Sequence, residues 1–102
     1  YPSRTNFTIL TNFYDGMGVL LKSGLVGRPL VYGYNPIGAI SLWEKYKPII
    51  LWVREENDMP YYLRDLEYLA DEMRKEGILQ GDPPLKEGGV FETLKQYDHQ
   101  PQ

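Results

Sequence analysis

Ile37-Gly38-Ala39-Ile40-Ser41-Leu42-Trp43-Glu44-Lys45-Tyr46-Lys47-Pro48-Ile49-Ile50-Leu51-Trp52-Val53-Arg54-Glu55-Glu56 is the stretch that decides the fold. Its apolar residues fall on nearly every face of a helical wheel. A surface helix carries one apolar stripe, so this breadth predicts a central helix contacted from several sides, on which its neighbours pack. Asn35-Pro36 just ahead of it reads as a helix start, Asn capping and Pro in the first turn. Pro48 lies inside. Proline lacks an N–H and crowds the carbonyl four residues back, here that of Glu44. A kink near Glu44–Pro48 is therefore predicted, a break into two helices being the competing outcome.

Upstream, Leu10, Phe13, Tyr14, Met17, Leu20 and Leu21 recur at three- and four-residue steps. They form a helical stripe over about residues 6–23. Thr5 is placed to cap this helix, and Gly24 to close it as a left-handed residue. Gly16 and Gly18 weaken it by about 1 kcal/mol each relative to Ala, and glycines so placed let another helix come close. Between the two helices, Gly27, Pro29 and Gly33 exclude a long helix, while Pro29 suits the first turn of a short one near 29–33.

Downstream, Asn57 or Asp58 reads as a cap and Pro60 as a start. Tyr62, Leu66, Leu69, Ala70 and Met73 form a single stripe of a helix over 59–76, which Gly77 ends. Arg74 and Lys75 suit the dipole at its end. The acidic face opposite, with Glu67 and Asp71, reads as a solvated surface. The expected architecture is all-α: three main helices and a short connecting one in a domain spanning 1–77. A loop or tail over 78–102 follows, with a brief helical pattern at 90–97.

Composition removes several functions. The chain has 102 residues, 14 acids against 11 bases and a net charge of −3. A nucleic-acid binder needs a clustered basic face to displace counterions from phosphate, and none is visible. No cysteine is present, which removes disulfides, thiolate chemistry and cysteine-ligated zinc, and fits a reducing compartment. The single histidine, His99, sits in the polar tail. Metal centres built on histidine and triads that use it as a base are therefore not expected, nor is any cofactor. Gly16-Met17-Gly18 lies within a helical pattern and lacks the Lys-Ser/Thr of a phosphate loop. No apolar run approaches the roughly 18 residues of a spanning helix.

What remains is aromatic: nine Tyr, three Phe and two Trp. Trp43, Tyr46, Trp52 and Tyr68 could line a small-ligand or enzymatic pocket between the helices, with Asp15 and Arg54 as its polar contacts. Asp15 borders the first stripe and is expected to hydrogen-bond Arg54 or a tyrosine hydroxyl, a structural role rather than an acid's. Val90, Phe91, Leu94 and Tyr97 in the tail would either cover the core or present a short recognition segment to a partner.

Asn12-Phe13-Tyr14-Asp15, Lys22-Ser23-Gly24-Leu25, Leu30-Val31-Tyr32, Trp43-Glu44-Lys45-Tyr46-Lys47-Pro48-Ile49-Ile50 and Leu66-Glu67-Tyr68-Leu69 follow one another in an order and spacing with a likeness elsewhere. From Thr8 to Met73 the chain resembles a prokaryotic family of uncharacterised proteins known as a domain of unknown function. The resemblance implies a helical fold, a membrane anchor upstream of Tyr1 and hence a place at the cytoplasmic face of a membrane. It implies no reaction. The expected function is a non-enzymatic helical interaction module, cytoplasmic, acting through a protein partner or a homo-oligomer; a ligand-binding pocket is the alternative.

Overall fold

The computed structural model describes residues 4–83, with side chains from Asn6 onward. Four helices follow in order: α1 (Arg4–Lys22), α2 (Arg28–Tyr34), α3 (Gly38–Glu56) and α4 (Arg64–Gln80). No strand occurs among the described residues. Val90, Phe91, Leu94, Tyr97 and the helical pattern at 90–97 lie outside them.

Three of the helices close in the same way. Gly24, with φ +83°, follows α1, and the N–H groups of Gly24 and Leu25 donate to the carbonyls of Leu21 and Leu20. Gly81, with φ +77°, ends α4 through Gly81 to Ile78 and Asp82 to Gly77. Asp58, with φ +51°, ends α3 through Asp58 to Glu55 and Met59 to Arg54. Each is a left-handed cap that satisfies two otherwise orphaned carbonyls.

These closures correct two expected boundaries. Asp58 belongs to the end of α3, so Pro60 cannot open the next helix. Two tight turns follow, and α4 begins at Arg64, five residues later than predicted. At the other end Gly77 is helical, and α4 continues to Gln80 across the expected domain boundary. A Cβ at Gly77 would lie 3.2 Å from the Tyr32 hydroxyl, so this glycine makes room for α2 rather than a stop. At the start of the chain Thr5 lies inside α1 rather than ahead of it. Asn35 acts nearly as expected: its Oδ1 accepts from the Gly38 N–H at 3.0 Å, although the helix begins at Gly38. α3 runs unbroken through Pro48.

The organising helix is α4, not α3. α1, α2 and α3 each lie against α4, whose Leu66, Leu69, Ala70 and Met73 are all buried. Fully burying a side chain of the size of Leu or Met contributes about 1.5–3 kcal/mol, so this stripe carries much of the core. α3 is buried all round only over Ala39–Trp43; beyond that just Tyr46 and Ile50 are buried, while Ile49, Leu51 and Trp52 face out. Apolar content overstated its burial, because packed neighbours cover only one side of its later turns.

The core forms two clusters. Leu42, Trp43, Tyr46, Ile50, Leu63, Leu66 and Ala70 make one, and Leu21, Val31, Ala39, Ile40, Leu69 and Met73 the other. Tyr14 of α1 packs against both. Its hydroxyl accepts from Asn35 Nδ2 at 2.9 Å, and a Cβ at Gly38 would collide with that hydroxyl. Burial, partly offset by the Asn35 hydrogen bond, raises the Tyr14 pKa.

Ion pairs tie the layers together. Arg28 of α2 reaches Glu76 at 2.8 Å and Glu72 at 3.7 Å on α4, and Arg74 of α4 reaches Glu44 of α3 at 2.7 Å. Gln80 donates to the other oxygen of the buried Glu76 carboxylate at 2.8 Å. Together the Gln80 and Arg28 contacts hold the Glu76 pKa below its ordinary value, against a burial effect of opposite sign. A depressed carboxylate contributes stability that is present above its unfolded pKa, about 4.3, and lost as pH falls through the lower folded value. Thermal melts between about pH 6 and 3 should therefore fall more gently for Glu76→Gln than for the parent. Parallel acid limbs would contradict the assignment.

Candidate functional site

Helix α1 has two apolar faces. Phe7, Thr11, Tyr14, Gly18 and Leu21 point inward, and each is buried or half-buried. Phe7 meets Tyr46 edge-on, with ring centroids 4.7 Å apart. At Gly18 the backbone of α4 comes so close that a Cβ would overlap the Asp65 carbonyl. The glycine reading therefore holds at Gly18. No element of the same chain approaches Gly16, where a Cβ would meet nothing within 4 Å.

The predicted stripe splits between the two faces. Tyr14 and Leu21 face the core and Met17 is half-buried, whereas Leu10, Phe13 and Leu20 are exposed. Ile9 joins them, 60% exposed, beside Phe13 at 52%. Tyr34 of α2 borders the same surface: it lines with Phe13, Met17 and Val31 a crease of about 10 Å³, room for about one water. Ile9, Leu10, Phe13, Leu20 and Tyr34 thus form an apolar patch of the kind that marks interaction surfaces when contiguous. The charged side chains of α1 nearest to it are used elsewhere. Asp15 turns to α4, and Lys22 lies 3.8 Å from Asp65.

Asp15 has a definite task. Its Oδ1 accepts the Leu66 N–H at 2.9 Å. The residue at the N-cap position of α4 is Leu63, left-handed at φ +52° and without a side-chain cap. Asp15 thus supplies from another helix the acceptor that Leu63 cannot, with its charge at the positive end of the dipole. The partner is a backbone amide, not Arg54 or a tyrosine hydroxyl. Asp15→Ala should lower unfolding free energy by about 1–2 kcal/mol in urea titration, with Asp15→Asn recovering part of the loss. An unchanged midpoint for Asp15→Ala would remove the cap.

The other five residues expected around a pocket line neither the crease above nor the groove described below. Trp43 and Tyr46 are buried in the first cluster. Trp52 stands 61% exposed on the outer side of α3. Arg54 donates through Nε to the Tyr62 carbonyl at 2.8 Å and through Nη1 to Glu67 at 2.9 Å, with its guanidinium 5.6 Å from the Trp43 ring centroid. It therefore clamps the α3–α4 connection. Tyr68 packs on the second cluster, under Lys22 at 5.6 Å from its ring.

A roomy cavity lies elsewhere, a groove of about 560 Å³ between α2, the start of α3 and the end of α4. Ile37, Ile40, Met73 and Ile78 give it apolar walls, and the Glu44–Arg74 pair a polar edge. Tyr32 lines it too, donating to Asp82 at 2.6 Å, and that bond raises the Tyr32 pKa. None of the six predicted ligand contacts lines the groove or the crease. Arg28 is a further residue whose role has no local signature in the sequence. A lone arginine before Pro29 gave no sign that Glu72 and Glu76, both far along the chain, would receive it.

Fold and surface together define a small all-α domain whose first helix has one face in the core and a second, apolar face in solvent. The chain belongs to the family described as Domain of unknown function (DUF4760), whose model matches residues 2–73. No curated protein and no solved structure matches it. No helix among the described residues is long and apolar enough to cross a membrane.

Proposed function

We propose that this chain is a non-enzymatic, cytoplasmic helical interaction module that binds a protein partner through the outer face of α1. The observation that carries this reading is the solvent exposure of Ile9, Leu10, Phe13 and Leu20 on an uncharged face of a helix whose opposite face is already packed. Exposed side chains of this size on one helix have the form of helix anchors that dock into a groove or against another helix. The cysteine-free composition supports a reducing, cytoplasmic setting. The role requires no cofactor.

A photo-crosslinking phenylalanine analogue placed at Phe13, in cells that make the protein, tests the reading. It is expected to give an adduct of defined mass that disappears with Leu20→Glu. The same analogue at the exposed Lys47 is expected to give none. Equal labelling from both positions would overturn it.

The volume of the α2–α3–α4 groove supports a second reading, a small apolar ligand, since drug-sized sites span about 300–1,000 Å³. Saturable binding of 1-anilinonaphthalene-8-sulfonate with amide shifts confined to Ile40, Met73 and Gly77 would favour it. Shifts centred on Phe13 would return the argument to α1.

A further inference from the structure

We infer that the partner of the outer α1 face is a second copy of this chain, paired antiparallel about a two-fold axis between Tyr14 and Asp15. This rests on the reading of that face as a docking surface. The inner face of α1 is a seam with steps of four, three, four and three residues: Phe7, Thr11, Tyr14, Gly18, Leu21. The outer face repeats the device two residues out of phase: Ile9, Phe13, Gly16, Leu20, with steps of four, three and four. Alternating steps of three and four are the signature of a helix that packs along its length on another helix. A helix with two such seams is built to be held from both sides.

The glycines sharpen the point. Gly18 is where α4 approaches α1 at backbone distance, and Gly16 is its counterpart on the outer seam, with nothing against it. An exposed mid-helix glycine weakens the helix and gains nothing within the monomer.

The outer seam is also self-complementary. Antiparallel pairing sets Ile9 of one copy against Leu20 of the other, and Phe13 against Gly16, so that each Phe13 ring enters the gap left by a glycine. No charge lies on the seam or beside it at Asn6, Leu10, Asn12, Met17 or Val19. Two copies of a chain with net charge −3 therefore meet without like charges opposed. With Tyr34 as a flank, the exposed apolar side chains amount to on the order of 600 Å² per copy, at the low end of the roughly 600–1,000 Å² per partner that specific interfaces bury. An anionic membrane surface would instead call for Lys and Arg bordering the apolar face, and the seam has none.

Sedimentation equilibrium of the 102-residue chain tests this, since one copy weighs 11.9 kDa. The parent is expected at about twice that mass at tens of micromolar, in the range of ordinary micromolar association. Phe13→Glu and Gly16→Leu should each raise the dissociation constant at least tenfold while leaving the helical circular dichroism unchanged. Gly16→Leu keeps the test sound if Phe13→Glu misfolds, because open space surrounds Gly16.

A spin label on Ser23→Cys, in a chain with no other cysteine, should report a separation of about 25–30 Å in the antiparallel pair, against about 10 Å in a parallel one. A monomer at every concentration, a dimer indifferent to both variants, or the short distance would each overturn the inference. A monomer that still crosslinks from position 13 to a different chain in cells would overturn it while leaving the interaction reading intact. No adduct from position 13 would remove both.

Discussion

Gly18→Ala is expected to destabilise the domain by about 2–3 kcal/mol, lowering Tm by about 10–20 °C. A methyl group there must displace the Asp65 carbonyl, which is backbone at the start of α4 and has no rotamer to turn aside. α4 has to move as a unit, and α1, α2 and α3 all lean on it. The better helix propensity of Ala returns only about 1 kcal/mol. The control is two residues away. Gly16→Ala, in the Phe13→Glu background that keeps the chain monomeric, should raise stability by up to about 1 kcal/mol, because its methyl enters open space. Chemical denaturation of the two variants reads the contrast directly. Equal effects of one sign would mean that α1 and α4 do not approach at Gly18.

The tryptophans provide the second large contrast. Trp43 is 4% exposed among Leu42, Tyr46 and Leu66, with Arg54 over its ring, so Trp43→Ala should cost about 3–5 kcal/mol. Trp52 lies nine residues on, outside both clusters, and Trp52→Ala should stay within about 0.5 kcal/mol. Acrylamide quenching of the two single-tryptophan proteins gives an independent check: quenching should be strong when Trp52 remains and weak when Trp43 remains. The opposite ranking would place the core on the wrong side of α3.

Helix content was largely legible from local signals. Gly24 marked the end of α1, Pro29 the start of α2, and Asn35 the entry to α3. Less legible was which side of each helix faces in. On α1 the two seams are offset by two residues, so a single broad stripe from Leu10 to Leu21 mixed inward Tyr14 with outward Phe13. Both ends of α4 depend on distant partners: Asp15 supplies the start, while Tyr32 and Arg28 pack against its final turns. Gly77 and Gly81 look alike in sequence, and only packing against α2 makes the first helical and leaves the second as the cap. Asp15 was legible as a structural residue, but its target was a backbone amide 51 positions away, with no local trace. The pocket expected from Trp43, Tyr46, Trp52 and Tyr68 grouped residues by type. Their positions on the helices bury Trp43 and Tyr46 in one cluster, set Tyr68 against the other and leave Trp52 in solvent.

In the dimer proposed above, the outer seam of α1 is an interface filled by another copy of itself. Thermal melting across a hundredfold dilution tests it in one series, because a protein stabilised by self-association melts at lower temperature as it is diluted. Each tenfold dilution should cost a protomer about 0.7 kcal/mol, or about 3–6 °C, while the dimer is the dominant species. The parent chain is expected to show this drift and Phe13→Glu to lose it. Superimposable melts of the parent at every concentration, or an equal drift in Phe13→Glu, would contradict the dimer.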